Sequence, residues 1–429
     1  MSEQTFSWKQ IFVIGLGFLT TGLSWQLFND FVPLILQEYS IFQYFGSGFV
    51  AVIFVAGLIM GVDNLIALIM NPLMGSRSDK TKTRYGRRMP YVMVGIPMAA
   101  GFFIGLPLTL LLTGPLALIS IVILILGFDI SMAIYRAPVV AMMPDFTPAE
   151  KRSPANGVIN LMGGVGAIIS FTLGAYLYDL SPTWAFFVSA LIMLLCLGIL
   201  FLAIREPEIP KEVEKVEGMT LWQSLREALG DRSIICVLMA IFFWFIAYNT
   251  VDTWFTSYGT FTLGWTAGQS SQTKLPFALA IILFAIPAGF IARKIGRKRS
   301  IIIGLIGMIA MIVIVPFTGG NRTLILAILG VAGAFWAMVN VNSIVILWEL
   351  SRKKLGAQTG IYYVFSQTSA AIAPSLFGAI VFIPVIPVLF PSTTIWVAIW
   401  PFSVIFLLAA LLCMLGVQRG EAGEEETLT

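Results

Sequence analysis

Long apolar runs separated by short polar breaks recur along the whole chain. A helix needs about 20 mostly apolar residues to cross a bilayer. Runs of that length fall near 10–36, 48–73, 91–113, 115–143, 154–178 and 183–204. A second set falls near 233–258, 272–292, 300–318, 322–349, 356–380 and 395–417. They predict an all-α membrane protein of twelve transmembrane helices. The runs do not alternate polar with apolar residues, so a membrane β-barrel is not expected. The first run is too long for a cleaved signal peptide, carries Asp30 and lacks a small-x-small cleavage site.

The longest polar stretch, 205–232, lies near the middle and divides six spans from six. The expected organisation is a bundle over 1–204, a cytoplasmic linker over 205–232, a bundle over 233–417 and a tail over 418–429. Within the linker Leu221, Leu225 and Leu229 recur every four residues beside Trp222. That pattern fits a short amphipathic helix on the membrane surface, and equally a flexible polar linker with a helical tip. The acidic tail is expected to be disordered. An internal echo supports the division. Gly75 and Asp79 precede Gly86-Arg87-Arg88 after the second span, and Gly289 precedes Gly296-Arg297-Lys298 after the eighth. Asp145 leads to Lys151-Arg152 after the fourth span, and Glu349 leads to Arg352-Lys353-Lys354 after the tenth. Two parallel-related halves with a site between them are a recurrent transporter plan.

Composition agrees with the bilayer. The chain is 58% hydrophobic and 11% charged, whereas soluble domains carry about 25% charged residues. Of the 26 Lys and Arg residues, Arg136 falls in a span and Lys274 and Arg322 fall in odd-numbered loops. All the rest lie at the N-terminus, in even-numbered loops or in the tail. Positive residues stay on the cytoplasmic side, so both termini are expected there, in a multi-pass plasma-membrane protein. No basic domain supports nucleic-acid binding. The three cysteines lie in apolar runs and read as small buried residues. The chain has no histidine, which excludes imidazole proton relays and His-ligated metal sites.

At the loops the pattern becomes specific. Gly75-x-x-x-Asp79 followed by Gly86-Arg87-Arg88-x-Pro90 resembles the signature loop of the major facilitator superfamily. Further segments resemble the sucrose–proton symporters and the wider glycoside-pentoside-hexuronide–cation symporters. These are Trp25-Gln26-Leu27 with Pro33, Asn71-Pro72, Asp129 with Ala137-Pro138 and Asp145, and Tyr362-Tyr363 with Gln367. The resemblance implies the major facilitator fold, two pseudo-symmetric six-helix bundles. It also implies proton-coupled sugar symport without an organic cofactor. The sodium-coupled branch has carboxylates where this chain has Asn71 and Ala67, so sodium is the less expected coupling ion. Arg136 precedes Pro138, whereas plant sucrose carriers place their Arg after that proline.

Ionisable groups inside the hydrocarbon cost roughly 2.5–3.5 kcal/mol each on insertion scales, and they usually persist because they pair or conduct. Asp129 and Arg136 are seven residues apart, so they share one helix face about 10 Å apart along the axis. Asp129 is expected to exchange the coupled proton with Arg136 as its counter-charge, and Asp30 is the next candidate. A static structural pair is the alternative. Gln26, Asn29 and Asp30 cluster in the first span. They suit hydroxyl-rich ligands, or serve as interhelical glue. Asp63, with Asn64, is expected only to pair with a neighbouring helix.

Trp244, Tyr248 and Asp252 recur on one side of the seventh span, and Trp336, Asn340 and Ser343 on one side of the tenth. Such faces fit a sugar, with rings on its C–H face and amides on its hydroxyls. Tyr363 and Gln367 are further binding candidates. Trp254 and Trp348, near span ends, are expected as interface anchors. Gly75, Asp79, Arg87, Arg88, Asp145 and Glu349 are expected to form a cytoplasmic latch. Asp79 would sit at the N-terminus of the eleventh helix, and Arg87 or Arg88 would pair with Asp145. The expected protein is a monomeric secondary transporter importing a sugar or glycoside across the lipid bilayer. The alternatives are a uniporter or an exporter of amphipathic small molecules, then a non-transporting sensor. An enzyme is not expected, since no catalytic cluster is visible.

Overall fold

The computed structural model describes residues 6–38, 48–206, 226, 230–351, 355–381 and 395–418. The expected amphipathic turn at Leu221–Leu229 and the acidic tail lie outside these residues. Among the described residues, twelve helices are long and apolar enough to cross a membrane. In chain order they are α1 (Trp8–Gln37), α2 (Ile53–Lys80), α3 (Met89–Leu111), α4 (Gly114–Phe146), α5 (Pro154–Leu180) and α6 (Pro182–Ala203). Then come α7 (Arg232–Thr262), α8 (Ala267–Ile295), α9 (Arg297–Thr318), α10 (Arg322–Leu350), α11 (Gln358–Val381) and α12 (Ile395–Leu415).

Two helices depart from the hydropathy pattern. The helix of α2 runs on to Lys80, so Gly75 and Asp79 lie on helix and not in a loop. The extension is polar, but its hydroxyls turn back onto the backbone: Ser78 Oγ donates to Gly75 O at 2.8 Å and Thr81 Oγ1 to Arg77 O at 2.9 Å. In α8 a short helix, Ala267–Gln272, precedes a turn, and the helix resumes at Leu275. Lys274 sits in that break, and Arg322 is the first residue of α10.

The chain divides into two compact units. The first contains Met1–Val52, Val62–Val213 and Thr266–Gln272; the second contains Ile53–Gly61, Glu214–Trp265 and Thr273–Thr429. They follow the two sequence halves, except that α2 and α8 each contribute to both.

In the first unit α1 packs closely on α5. A Cβ on Gly22 would stand 2.0 Å from the Gly163 carbonyl oxygen. One on Gly166 would stand 2.2 Å from the Leu19 carbonyl oxygen, so Gly22 and Gly166 serve backbone approach, as small residues do between membrane helices. The core of this unit holds stacked Phe28, Phe103 and Phe128 with Trp25 edge-on. In the second unit Trp254, Phe377, Trp396, Phe255 and Trp400 form an aromatic core. Trp254 is fully buried there. It is therefore no interface anchor: its ring packs at 5.4 Å from Trp396.

Candidate functional site

In the first unit three spans carry buried carboxylates. Asp129, on α4, is 2% exposed, and neither of its carboxylate oxygens has a hydrogen-bond partner among the described residues. Asp63, on α2, is also buried and interacts electrostatically with both Asp129 and Arg136. Helical spacing puts Asp129 and Arg136 on one face of α4, and Asp63 on α2 joins them, interacting with both. Asp63 Oδ1 also accepts from the backbone N–H and side-chain amide of Asn64.

The cluster on α1 is tied down. Asp30 is fully buried and accepts from Gln26 Nε2 at 2.9 Å and from Ser271 Oγ. Asn29 is half-buried beside it. Asp179 holds the start of the same short helix, accepting from Thr266 Oγ1 at 2.6 Å and Gly268 N at 2.7 Å.

In the second unit Tyr248 and Trp336 of the expected faces come together with further rings. Tyr248 stacks on Trp336 at 4.7 Å with 4° between the planes, and Phe277 stacks on Tyr248 at 6.1 Å. Phe245 stands edge-on to Trp336 at 5.8 Å. The Tyr362 hydroxyl meets Ser343 Oγ at 3.2 Å, and Ser343 donates to the Asn340 carbonyl at 2.7 Å. Tyr363 is exposed and Gln367 half-buried. Trp244 is fully buried and presents no surface to a ligand, against its expected binding role. On the same helices Lys274 Nζ donates to Asp252 at its backbone oxygen (2.9 Å) and carboxylate (3.3 Å). Lys274 was expected in an external loop; its side chain is 8% exposed. Asp252 is thus engaged with a buried cation. Trp348 donates from Nε1 to Thr359 Oγ1 at 2.9 Å.

The signature stretch forms a charge network in the first unit. Arg87 Nη2 and Arg88 Nε each reach one oxygen of Asp145 at 2.6 Å. Arg88 also reaches Asp79 Oδ1 at 2.8 Å through Nη2 and Ser78 Oγ at 2.8 Å through Nη1. One planar guanidinium therefore serves three partners, which a lysine ammonium on a single stem does poorly. The second unit repeats the plan: Arg297 pairs with Glu349 and donates to Asn342 Oδ1 at 3.1 Å. Gly86 (φ 104°) and Gly296 (φ 93°) each precede these basic residues in a conformation open to glycine. That explains the repeated glycine in the sequence.

Sequence reasoning missed the interaction of Asp63 with Asp129 and Arg136, and Lys274 as a buried cation. It also missed Glu206, whose carboxylate meets the backbone of Arg87, Arg88 and Met89. The one available signal for Asp63 was its charge inside a span.

The sequence profile of the Major Facilitator Superfamily matches residues 14–374 and 275–427. The multidrug resistance protein MdtG of Salmonella schwarzengrund (strain CVM19633) is 23% identical over 327 residues, covering 74% of each chain. The class B tetracycline resistance protein of Escherichia coli is 23% identical over 400 residues, covering 92% of this chain and 93% of its own. Among solved structures, a bacterial homologue of the human lysosomal transporter Spinster superposes with a TM-score of 0.72 at 13% identity. It covers 99% of this chain and 100% of that one. The nucleoside transporter NupG superposes at 0.72 with 12% identity, covering 96% and 99%. These relatives are named as resistance proteins and transporters, and none of those named is a sucrose symporter.

Proposed function

The chain belongs to the Major Facilitator Superfamily and is a multi-pass membrane transporter, not an enzyme; from that premise we propose that it exports amphipathic small molecules in exchange for protons. The observation that carries the coupling is Asp129. Both of its oxygens are buried without a hydrogen-bond donor among the described residues, beside a second carboxylate, Asp63. A buried carboxylate in that setting is a place where a proton can be held and released, and the histidine-free chain offers no imidazole for the task. Arg136 interacts with Asp63 and supplies the counter-charge that a proton on the cluster would replace.

The substrate class rests on the second unit. Its candidate surface is rich in rings: Phe245, Tyr248, Phe277 and Tyr362. The facing surfaces of Tyr248 and Trp336 are taken up by each other, which leaves less open ring face for a sugar. Ring edges and phenol hydroxyls favour a partly apolar ligand. The named relatives, a multidrug and a tetracycline resistance protein, support export over import. Sugar symport, implied by the first-span and fourth-span motifs, is supported less well. For an ion pair such as Lys274–Asp252, a role in holding α8 to α7 suffices.

The test is a thermal-shift screen of purified protein at two pH values, with tetracycline and ethidium in one set and mono- and disaccharides in the other. A ligand that binds only the folded state raises its melting temperature by mass action. Stabilisation by the amphipathic set alone is the expected outcome. Stabilisation by a sugar alone would overturn the assignment.

A further inference from the structure

The expected latch leaves one question: what sets the backbone from which Arg87 and Arg88 reach? The turn ahead of them is tight. Gly86 N donates to Thr83 O at 3.1 Å, and Thr83 Oγ1 donates to Gly86 O at 2.6 Å. The turn then feeds α3, whose first backbone N–H groups have no partner within the helix. Arg88 stands at the cap position and contributes no side-chain cap of its own. Pro90 has no N–H.

Those N–H groups are met by a carboxylate from another element. Glu206 lies just beyond α6. It accepts from Arg87 N at 2.7 Å, from Arg88 N at 3.0 Å and from Met89 N at 2.5 Å. A negative charge at a helix N-terminus is favoured by the helix dipole. The seat is shaped for it: a Cβ on Gly86 would lie 2.5 Å from Glu206 Cδ. Beside it the rings of Tyr85 and Phe201 pack at 5.7 Å. All of these groups belong to the first unit.

We infer that Glu206 is a positioning residue of the signature network: it caps α3 from the end of α6 and thereby fixes the backbone that aims Arg87 and Arg88 at Asp145, Asp79 and Ser78. It touches none of those three residues' side chains and acts through the two arginines. The consequence is a mechanical link. The chain leaving α6, which becomes the segment joining the two sequence halves, is fastened to the turn that carries the latch. This inference rests on the latch role of that turn, but its primary test needs no transported substrate.

Ser78 is fully buried under Arg88, so a cysteine there reports whether Arg88 is in place. Ser78→Cys is introduced into the full chain, and its reaction with a hydrophilic maleimide is timed in detergent. The labelling of the three native cysteines is subtracted using the chain without Ser78→Cys. Glu206→Ala is expected to speed labelling of position 78 by about tenfold or more, for loss of a set of charge-assisted bonds. Glu206→Gln, with one acceptor oxygen in place of two, is expected between the parent and Glu206→Ala. Glu206→Asp tests rescue by charge and is expected nearer the parent than Glu206→Gln. In an Arg88→Ala background labelling is already fast, and Glu206→Ala is expected to add less than about twofold, because the two act in series.

Equal labelling rates for the parent and Glu206→Ala would overturn the inference. So would an undiminished effect of Glu206→Ala in the Arg88→Ala background. If Glu206→Ala fails to fold, the Glu206→Gln comparison carries the same two outcomes. Ethidium transport then separates the inference from the latch itself. Slowed turnover with unchanged KM in Glu206→Gln supports both. Accelerated labelling with normal turnover keeps the positioning role and removes the latch.

Discussion

Arg88 should matter far more to this fold than Arg87, although the two stand side by side. The Arg88 side chain is 5% exposed and binds Asp145, Asp79 and Ser78, whereas that of Arg87 is 21% exposed and binds Asp145 alone. Removing one partner of a buried, hydrogen-bonded pair costs about 3–5 kcal/mol. Two features pull Arg88→Ala to the lower end of that range. Asp79 is 54% exposed and returns to water, and Arg87 still holds one oxygen of Asp145. About 3 kcal/mol is therefore expected for Arg88→Ala. Arg88→Lys keeps the charge but loses the planar fork, so about half of that loss is expected. Arg87→Ala leaves Asp145 with its contact to Arg88 and should cost about 1 kcal/mol or less, as for a partly exposed pair. The assay is thermal unfolding of the purified variants in one detergent, read as an order of melting temperatures. The expected order is parent, Arg87→Ala, Arg88→Lys, Arg88→Ala, from highest to lowest. Arg87→Ala melting at or below Arg88→Ala would refute the reasoning that burial and partner number decide these contributions.

Three further outcomes follow from the geometry. Gly22→Ala should lower the yield of folded protein sharply, because its Cβ would stand 2.0 Å from the Gly163 carbonyl, while Gly101→Ala, with nothing within 4 Å, should be tolerated; equal yields would contradict the close α1–α5 approach. Arg136→Ala and Asp63→Asn should be non-additive in melting temperature, because each removes the same interaction; full additivity would show that they act separately. A cysteine at position 215 should react with an impermeant maleimide in inside-out vesicles and not in right-side-out vesicles, and the reverse would invert the expected topology.

The membrane spans were legible because a bilayer imposes a length and an apolar composition that few other environments demand. The duplicated Gly-basic turns were legible too, since Gly86 and Gly296 share a positive φ. Hydropathy could not show that α2 continues through Ser78 and Asp79, because side-chain hydroxyls satisfy that polar turn locally. Nor could it show that α8 breaks at Lys274, which brings a lysine inward to Asp252. Spacing along one helix put Asp129 and Arg136 on a common face. It carried no information on which other span would bring charge to that face, and Asp63 on α2 does so. The same limit hid Glu206: its three acceptor contacts are to backbone N–H groups more than a hundred positions away in sequence. Trp254 looked like an interface residue from its place near a span end, but packing against Trp396 decides its burial.

The central claim is that Asp129 couples proton movement to export of an amphipathic molecule. It is tested most directly by ethidium uptake into inside-out vesicles with an acidic lumen, comparing the parent chain with Asp129→Asn at equal protein density. Coupling requires that proton and substrate bias the same conformational states reciprocally. The parent should accumulate ethidium against its gradient and lose it when the proton gradient is collapsed. Asp129→Asn should still equilibrate and exchange ethidium but should not accumulate it. Uphill, proton-driven accumulation by Asp129→Asn at the parental level would contradict the claim and place coupling elsewhere, with Asp30 the next residue to replace.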